Sequence, residues 1–159
     1  MRKVKNWYEQ SRAKIKEQYG SDWKLFTGLI AATSAHTSLK GNVCLAKKAY
    51  EQIKEGKELT GFMGNHVQAI KSVLVTGRPQ GVKCRNFYQN LVGNENCVTV
   101  DLWMTRKYLG KDSPTAKQYA QIERRIRAEA KLFGMSPAQY QAEQWVKLRG
   151  RSDSFVKFL

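Results

Sequence analysis

The sequence predicts an all-α protein. Apolar residues recur at a spacing near 3.6 along almost every hydrophobic run, which places them on one side of a helix. Strand-like alternation is scarce. Glycine, proline, serine and aspartate fall where these runs begin and stop, as helix caps and turns require.

The first segment, Trp7 to Tyr19, is charged and amphipathic. "GSD" ends it, with Ser21 or Asp22 capping the next helix. That helix, "WKLFTGLIAATSA", carries a stripe of Trp23, Phe26, Leu29 and Ile30, and small residues at its end permit close packing. "HTSLKGN" reads as a loop, and Asn42 caps a third helix running through Tyr50 and Ile53. "NHVQAIKSVLVTG" lines Val67, Ile70, Val73 and Leu74 on one face and stops at Gly77. "RPQG" is a tight turn built on Pro79 and Gly81, followed by a helix from about 82 to 91 and a turn at "GNEN". Asp101 caps "LWMTRKYLG", which ends at Gly110. The long helix of "KDSPTAKQYAQIERRIRAEAKLFG" has Pro114 near its start and Gly134 at its end, with "ERRIRAEAK" as a solvated face. "SPAQYQAEQWVKLRG" repeats this grammar, with Ser136 as cap and Pro137 in first position.

At 159 residues the chain is one domain, long enough to bury a core. It holds no run of about 18 apolar residues, so no membrane span is expected. The basic start, "MRKVKNWYEQSRAKIK", lacks the apolar centre of a secretory leader. Twenty-eight Lys and Arg against thirteen Asp and Glu give a net charge of +15 and a pI near 9.9. Such an excess repels itself and calls for a polyanion, nucleic acid ahead of an anionic membrane surface. The basic residues are spread along the chain, which fits a broad binding face. Cys44, Cys84 and Cys97 form no C-x-x-C and no four-ligand set, which excludes a structural zinc or an iron–sulfur cluster. They read as small core residues in a reducing cytoplasm.

"GRPQGVK" sits between two helices and contains one lysine just after a glycine. A helix, a short Gly-containing turn and a second helix form the helix–hairpin–helix pattern. Its turn presents backbone N–H groups at a helix N-terminus, which binds phosphate without base contacts. Eighteen residues beyond Lys83 stands Asp101, at the start of "DLWMTR".

Three stretches resemble the helix–hairpin–helix (HhH-GPD) DNA glycosylase superfamily, above all its endonuclease III-like branch. "LIAATSAHTS" resembles an early family helix ending in "LLSAQ". "GVKCRNF" resembles the second hairpin helix with the catalytic lysine, and "VTVDLWMTR" the "VDT-h-x-x-R" segment with its aspartate. The family's lysine–aspartate interval is the same eighteen. "WVKLRGR", from Trp145 to Arg151, resembles a late helix. The hairpin reads "PQG" where the family usually has "GVG", and the iron–sulfur cysteines are absent, as in several branches. The resemblance covers about residues 23–56 and 64–151.

The resemblance implies a two-lobed helical fold with a central cleft. One lobe spans about 23–100, with the hairpin at about 64–92; the other comprises 1–22 plus 101–159. It implies a bifunctional DNA glycosylase/AP lyase, without metal or organic cofactor. The substrate would be double-stranded DNA containing a damaged, modified or abasic nucleotide, acted on by a monomer in the cytoplasm, nucleoid-associated, or in a host-cell cytoplasm if viral. Lys83 would attack C1′ and form a Schiff base, and β-elimination would cut the strand. Asp101 would steady the oxocarbenium-like transition state and accept the lysine's proton. A helix N-terminus, burial and Arg85 would favour the unprotonated amine, and Asp101 would oppose them.

By family position, His36 fills the gap left by the extruded nucleotide, and Leu39 in the same loop is a candidate wedge. Backbone N–H groups of Gln80, Gly81 and Lys83 would grip phosphate, with Arg78 and Arg85 nearby; Arg106 would contact backbone or form an ion pair. His66 reads as a capping or packing residue, Asn86 as a polar brace for the lysine helix, and the tryptophans as core, with Trp103 nearest the aspartate. Three alternatives stay open: a non-catalytic hairpin module that grips DNA backbone, a glycosylase-derived enzyme acting on modified thymine in viral DNA, and an RNA-binding helical protein.

Overall fold

The computed structural model describes residues 7–150 and 155–159. The N-terminal "MRKVKN" of the second expected lobe and Arg151 of "WVKLRGR" lie outside the described residues. Those described form an all-α protein, with no strand among them. Eight α-helices run in order: α1 (Trp7–Tyr19), α2 (Trp23–Ala32), α3 (Leu39–Lys54), α4 (Gly64–Thr76), α5 (Val82–Val92), α6 (Leu102–Leu109), α7 (Ala116–Leu132) and α8 (Pro137–Arg149). A short 3₁₀ turn, Gly20–Asp22, joins α1 to α2, and another, Phe155–Lys157, lies near the C-terminus.

Most helix ends obey local chemistry. Gly77, Gly93, Gly110 and Gly150 take left-handed backbone after α4, α5, α6 and α8. Asp101 accepts from the Met104 N–H at the start of α6, and Ser136 from Gln139 at the start of α8. Two expectations are corrected. Ser38, not Asn42, caps α3, its Oγ accepting from the Gly41 N–H. Asn42 is instead buried one turn into that helix, donating to the Ile30 carbonyl (2.8 Å) and to Thr33 Oγ1 (2.8 Å). Asp22 caps nothing, because the chain passes into α2 through the 3₁₀ turn, and its carboxylate accepts from Tyr50 and pairs with Lys54. Pro114 stands near the start of α7 as expected, just before its cap Thr115, which forms a reciprocal capping box with Gln118.

α2 occupies the centre and packs on α1, α3, α4 and α5. Every residue from Phe26 to Ala32 is buried, so the predicted one-sided stripe understates its burial. Gly28 lets α4 approach: a Cβ there would stand 2.8 Å from Val73 Cγ1. The buried side of α4 is His66, Ala69, Ile70 and Val73; Leu74, expected with them, is exposed.

The core divides into two clusters. One gathers α1 to α5 with Ala138, Ala142 and Phe155. The other joins Val98 and Val100 to Met104 of α6, Tyr119, Ile122, Ile126 and Ala130 of α7, and Tyr140 and Trp145 of α8. Trp7 and Leu39 pack against both. The cysteines are not core residues: Cys44 is exposed, and Cys84 and Cys97 are half-buried.

Candidate active site

A cleft of about 710 Å³ opens along the junction of the two clusters. Its walls come from α1 (Trp7, Tyr8), the loop after α2 (Ser34 to Ser38), α5 (Lys83, Phe87), the extended segment 99–101, α6 (Leu102, Trp103), α7 (Tyr119) and α8 (Gln141, Trp145). Lys83 and Asp101 both line it. So do His36 and Leu39, on the loop and the first turn of α3. His36 is exposed with φ of 58°, a left-handed conformation that costs a non-glycine residue energy.

Lys83 lies in the first turn of α5, pointing inward. Its Nζ donates to Ser34 Oγ at 2.7 Å and stands 5.3 Å from the centre of the Phe87 ring, one turn along the same helix. Burial pushes its pKa below the ordinary lysine value; Cys84 and Asp101 act in the opposite direction. Arg85, expected to help depress it, is exposed.

Asp101 shows the mirror-image effect. Burial raises its carboxyl above the usual range, opposed by the Met104 N–H (3.0 Å), by the charge of Lys83, by the Trp103 N–H and by the Trp145 indole. The cleft disfavours charge on both groups. Burial thus makes the amine less basic and the carboxylate more basic than each would be in water. The N-cap geometry holds the carboxylate still, because one oxygen is tied to its own helix.

The hairpin candidates stand apart from this pair. Arg78, Gln80, Gly81 and Arg85 are exposed on the α4–α5 turn and do not line the cleft. Gly81 takes φ of 94°, and no side chain caps α5. The turn is braced by Ser72 Oγ and Thr76 Oγ1, which donate to the Arg78 carbonyl at 2.8 and 3.0 Å. Arg106 takes the ion-pair option, with Asp112 at 2.8 Å, and lies 5.6 Å from the Trp103 ring. His66 is buried and packs as expected, its Nε2 against the Ala35 carbonyl at 2.8 Å, which ties α4 to the loop carrying His36.

Sequence reasoning missed Ser34 and Tyr119. Tyr119 is buried; its hydroxyl donates to the Val98 carbonyl (2.9 Å) and accepts from the Val100 N–H (3.1 Å) and from Asn86 Nδ2 (3.0 Å). One side chain of α7 thus fastens the segment leading to Asp101 and the helix bearing Lys83. Asn86 is the brace expected of it; its partner, 33 residues away, left no local signal. Two further buried polar pairs involve residues of the cleft wall: Tyr8 donates to Gln141 Oε1 (2.6 Å), and Thr99 donates to Asn90 Oδ1 (2.7 Å).

Fold and site together define an all-helical protein with a desolvated lysine and a helix-capping aspartate in one aromatic-walled cleft. The chain belongs to a family of unknown function (DUF7178), whose model matches residues 1–152. No curated protein and no solved structure matches it.

Proposed function

We propose that this protein is a DNA glycosylase with AP lyase activity, acting on a damaged, modified or abasic nucleotide in double-stranded DNA. The observation that carries the reading is the Lys83–Asp101 pair: two groups whose charges the cleft disfavours, both facing a space of about 710 Å³. A charge of +15 supplies the attraction to a polyanion. On this reading the two core clusters are two helical lobes, and the extruded nucleotide enters between them.

The chemistry is as follows. The Lys83 amine gives its lone pair to C1′, and the bond from C1′ to the base breaks with its electron pair leaving on the base. Asp101 offsets the positive charge that develops on the sugar, then receives the proton released by the nitrogen. Opening of the sugar ring yields an imine, and loss of a C2′ proton expels the 3′ phosphate. No metal or organic cofactor is required by these steps.

Duplex DNA with one abasic site, incubated with the protein and borohydride, tests this directly. The wild-type chain should become covalently joined to DNA. Lys83→Ala should abolish the adduct, and Asp101→Asn should slow it by about 10²-fold, the scale of losing one preorganised electrostatic group. No wild-type adduct, or an undiminished one from Lys83→Ala, overturns the proposal.

The uncapped start of α5, where Gly81 and Val82 are exposed, favours a second reading, a module that only grips DNA backbone. That module would give a salt-sensitive complex and no adduct. On either reading, Arg78→Ala should lower the slope of log K against log salt by about one.

A further inference from the structure

Lys83 donates to Ser34 Oγ at 2.7 Å, and Ser34 Oγ in turn donates to the Ala31 carbonyl at 2.7 Å. A serine hydroxyl has one proton and two lone pairs. With the proton committed to the last turn of α2, Ser34 offers Lys83 only an acceptor. The neutral amine can then meet it only through an N–H, so its own lone pair remains unused. The third neighbour of the hydroxyl is Cys84 Sγ at 3.9 Å, which completes its surroundings without competing for the amine's lone pair.

Resting on the lysine chemistry proposed above, we propose that Ser34 is a positioning residue: an oriented acceptor that anchors the Lys83 amine by an N–H and leaves its lone pair directed into the cleft. The free lone pair is the orbital that must reach C1′, and a hydroxyl donating the other way would mask it. The same oxygen steadies the ammonium form, since hydrogen bonding to a charged group favours that charge. Ser34 therefore trades some basicity control for position. The charged or titratable groups acting on the amine are Asp101 from the segment before α6 and Cys84 from α5 itself. Tyr8 of α1, His36 of the loop, Tyr119 of α7 and Arg149 of α8 share the cleft.

Two measurements on the full chain decide it, with wild type, Ser34→Ala and Ser34→Thr compared. The first is the rate of methylation at Lys83 by formaldehyde and borohydride, read by peptide mass spectrometry across pH, with no DNA present. Only the unprotonated amine reacts, so the midpoint of the profile reports its basicity. Ser34→Ala should move that midpoint down by about one pH unit, the scale of one hydrogen bond to a charged group. Ser34→Thr, which keeps the hydroxyl, should restore it. The second is adduct formation with abasic duplex. Ser34→Ala should fall at least about tenfold at plateau pH, as expected for a reacting group left unplaced. Its affinity for a duplex carrying an unreactive tetrahydrofuran abasic analogue should stay within about twofold, since no phosphate contact is lost.

A general folding defect would expose Lys83 to water and move the midpoint up toward the ordinary lysine value, opposite to the shift expected of Ser34→Ala. An unmoved midpoint in Ser34→Ala, or a moved one that Ser34→Thr fails to restore, overturns the assignment. A wild-type chain that forms no adduct defeats the lysine chemistry instead. The formaldehyde profile still judges Ser34 in that case, because it needs no DNA.

Discussion

Replacing Tyr119 by phenylalanine removes one oxygen and strands three polar groups. The Val98 carbonyl and the Val100 N–H lose their partner in residues that are 0% and 3% exposed, while the half-buried Asn86 amide can turn toward water. A buried backbone group left unpaired costs about 1–3 kcal/mol, so the two together set the loss at about 2–6 kcal/mol. Globular domains are stable by only about 5–15 kcal/mol, so the variant should melt about 4–24 °C lower. Urea titration followed by tryptophan fluorescence and circular dichroism measures it: the midpoint should fall with the slope unchanged. Burial raises the tyrosine pKa to about 12, so the network should hold in the wild type across ordinary alkaline buffers. Asn86→Ala and Tyr119→Phe should couple by about 1 kcal/mol in a double-mutant cycle. A Tyr119→Phe loss under about 0.5 kcal/mol, or full additivity with Asn86→Ala, would refute the claim that this hydroxyl joins the lysine helix to the aspartate segment.

Other outcomes follow from the same packing and charges. Asp101→Asn should leave stability unchanged or raised at neutral pH while adduct formation falls. Asparagine still caps α6, and the wild-type carboxyl, its pKa raised by burial, loses stability as pH climbs from its unfolded value near 4 through its raised folded value. Asp101→Ala should cost about 1 kcal/mol through the missing cap, read in the same urea titration. Glu129 runs the other way. Burial opposes its ionisation, yet the Tyr140 and Tyr108 hydroxyls at 2.6 and 2.7 Å hold its pKa below the usual value. Its contribution is present above about pH 4.3 and fades on acidification, so Glu129→Gln should lower the melting temperature at neutral pH and flatten the acid limb of a stability profile. Gly28→Ala should destabilise by about 1–3 kcal/mol because its methyl meets Val73, and pairing it with Val73→Ala should recover part of the loss.

How much of this was legible depended on sequence distance. Asp101 and Ser136 declare themselves as caps because the N–H each accepts from is three residues away. Gly77, Gly93 and Gly110 mark helix ends because only their own backbone need turn left-handed. The α3 cap was misread because Ser38 and Asn42 both suit a helix start, and the packing of α2 draws Asn42 inward to satisfy Ile30 and Thr33. Leu74 was assigned to the core by periodicity alone, although nothing in the sequence says how wide a strip of α4 its neighbours cover.

The lysine, the aspartate and the turns around them were present in the chain as letters at an informative spacing. Their common cleft, the serine that holds the amine, and the tyrosine that ties two helices to one extended segment exist only once the helices pack. Helix limits follow from bonds that close within a few residues, which a linear pattern can record. A buried hydroxyl answers to whichever distant carbonyl the fold brings within 3 Å, and no local pattern records that.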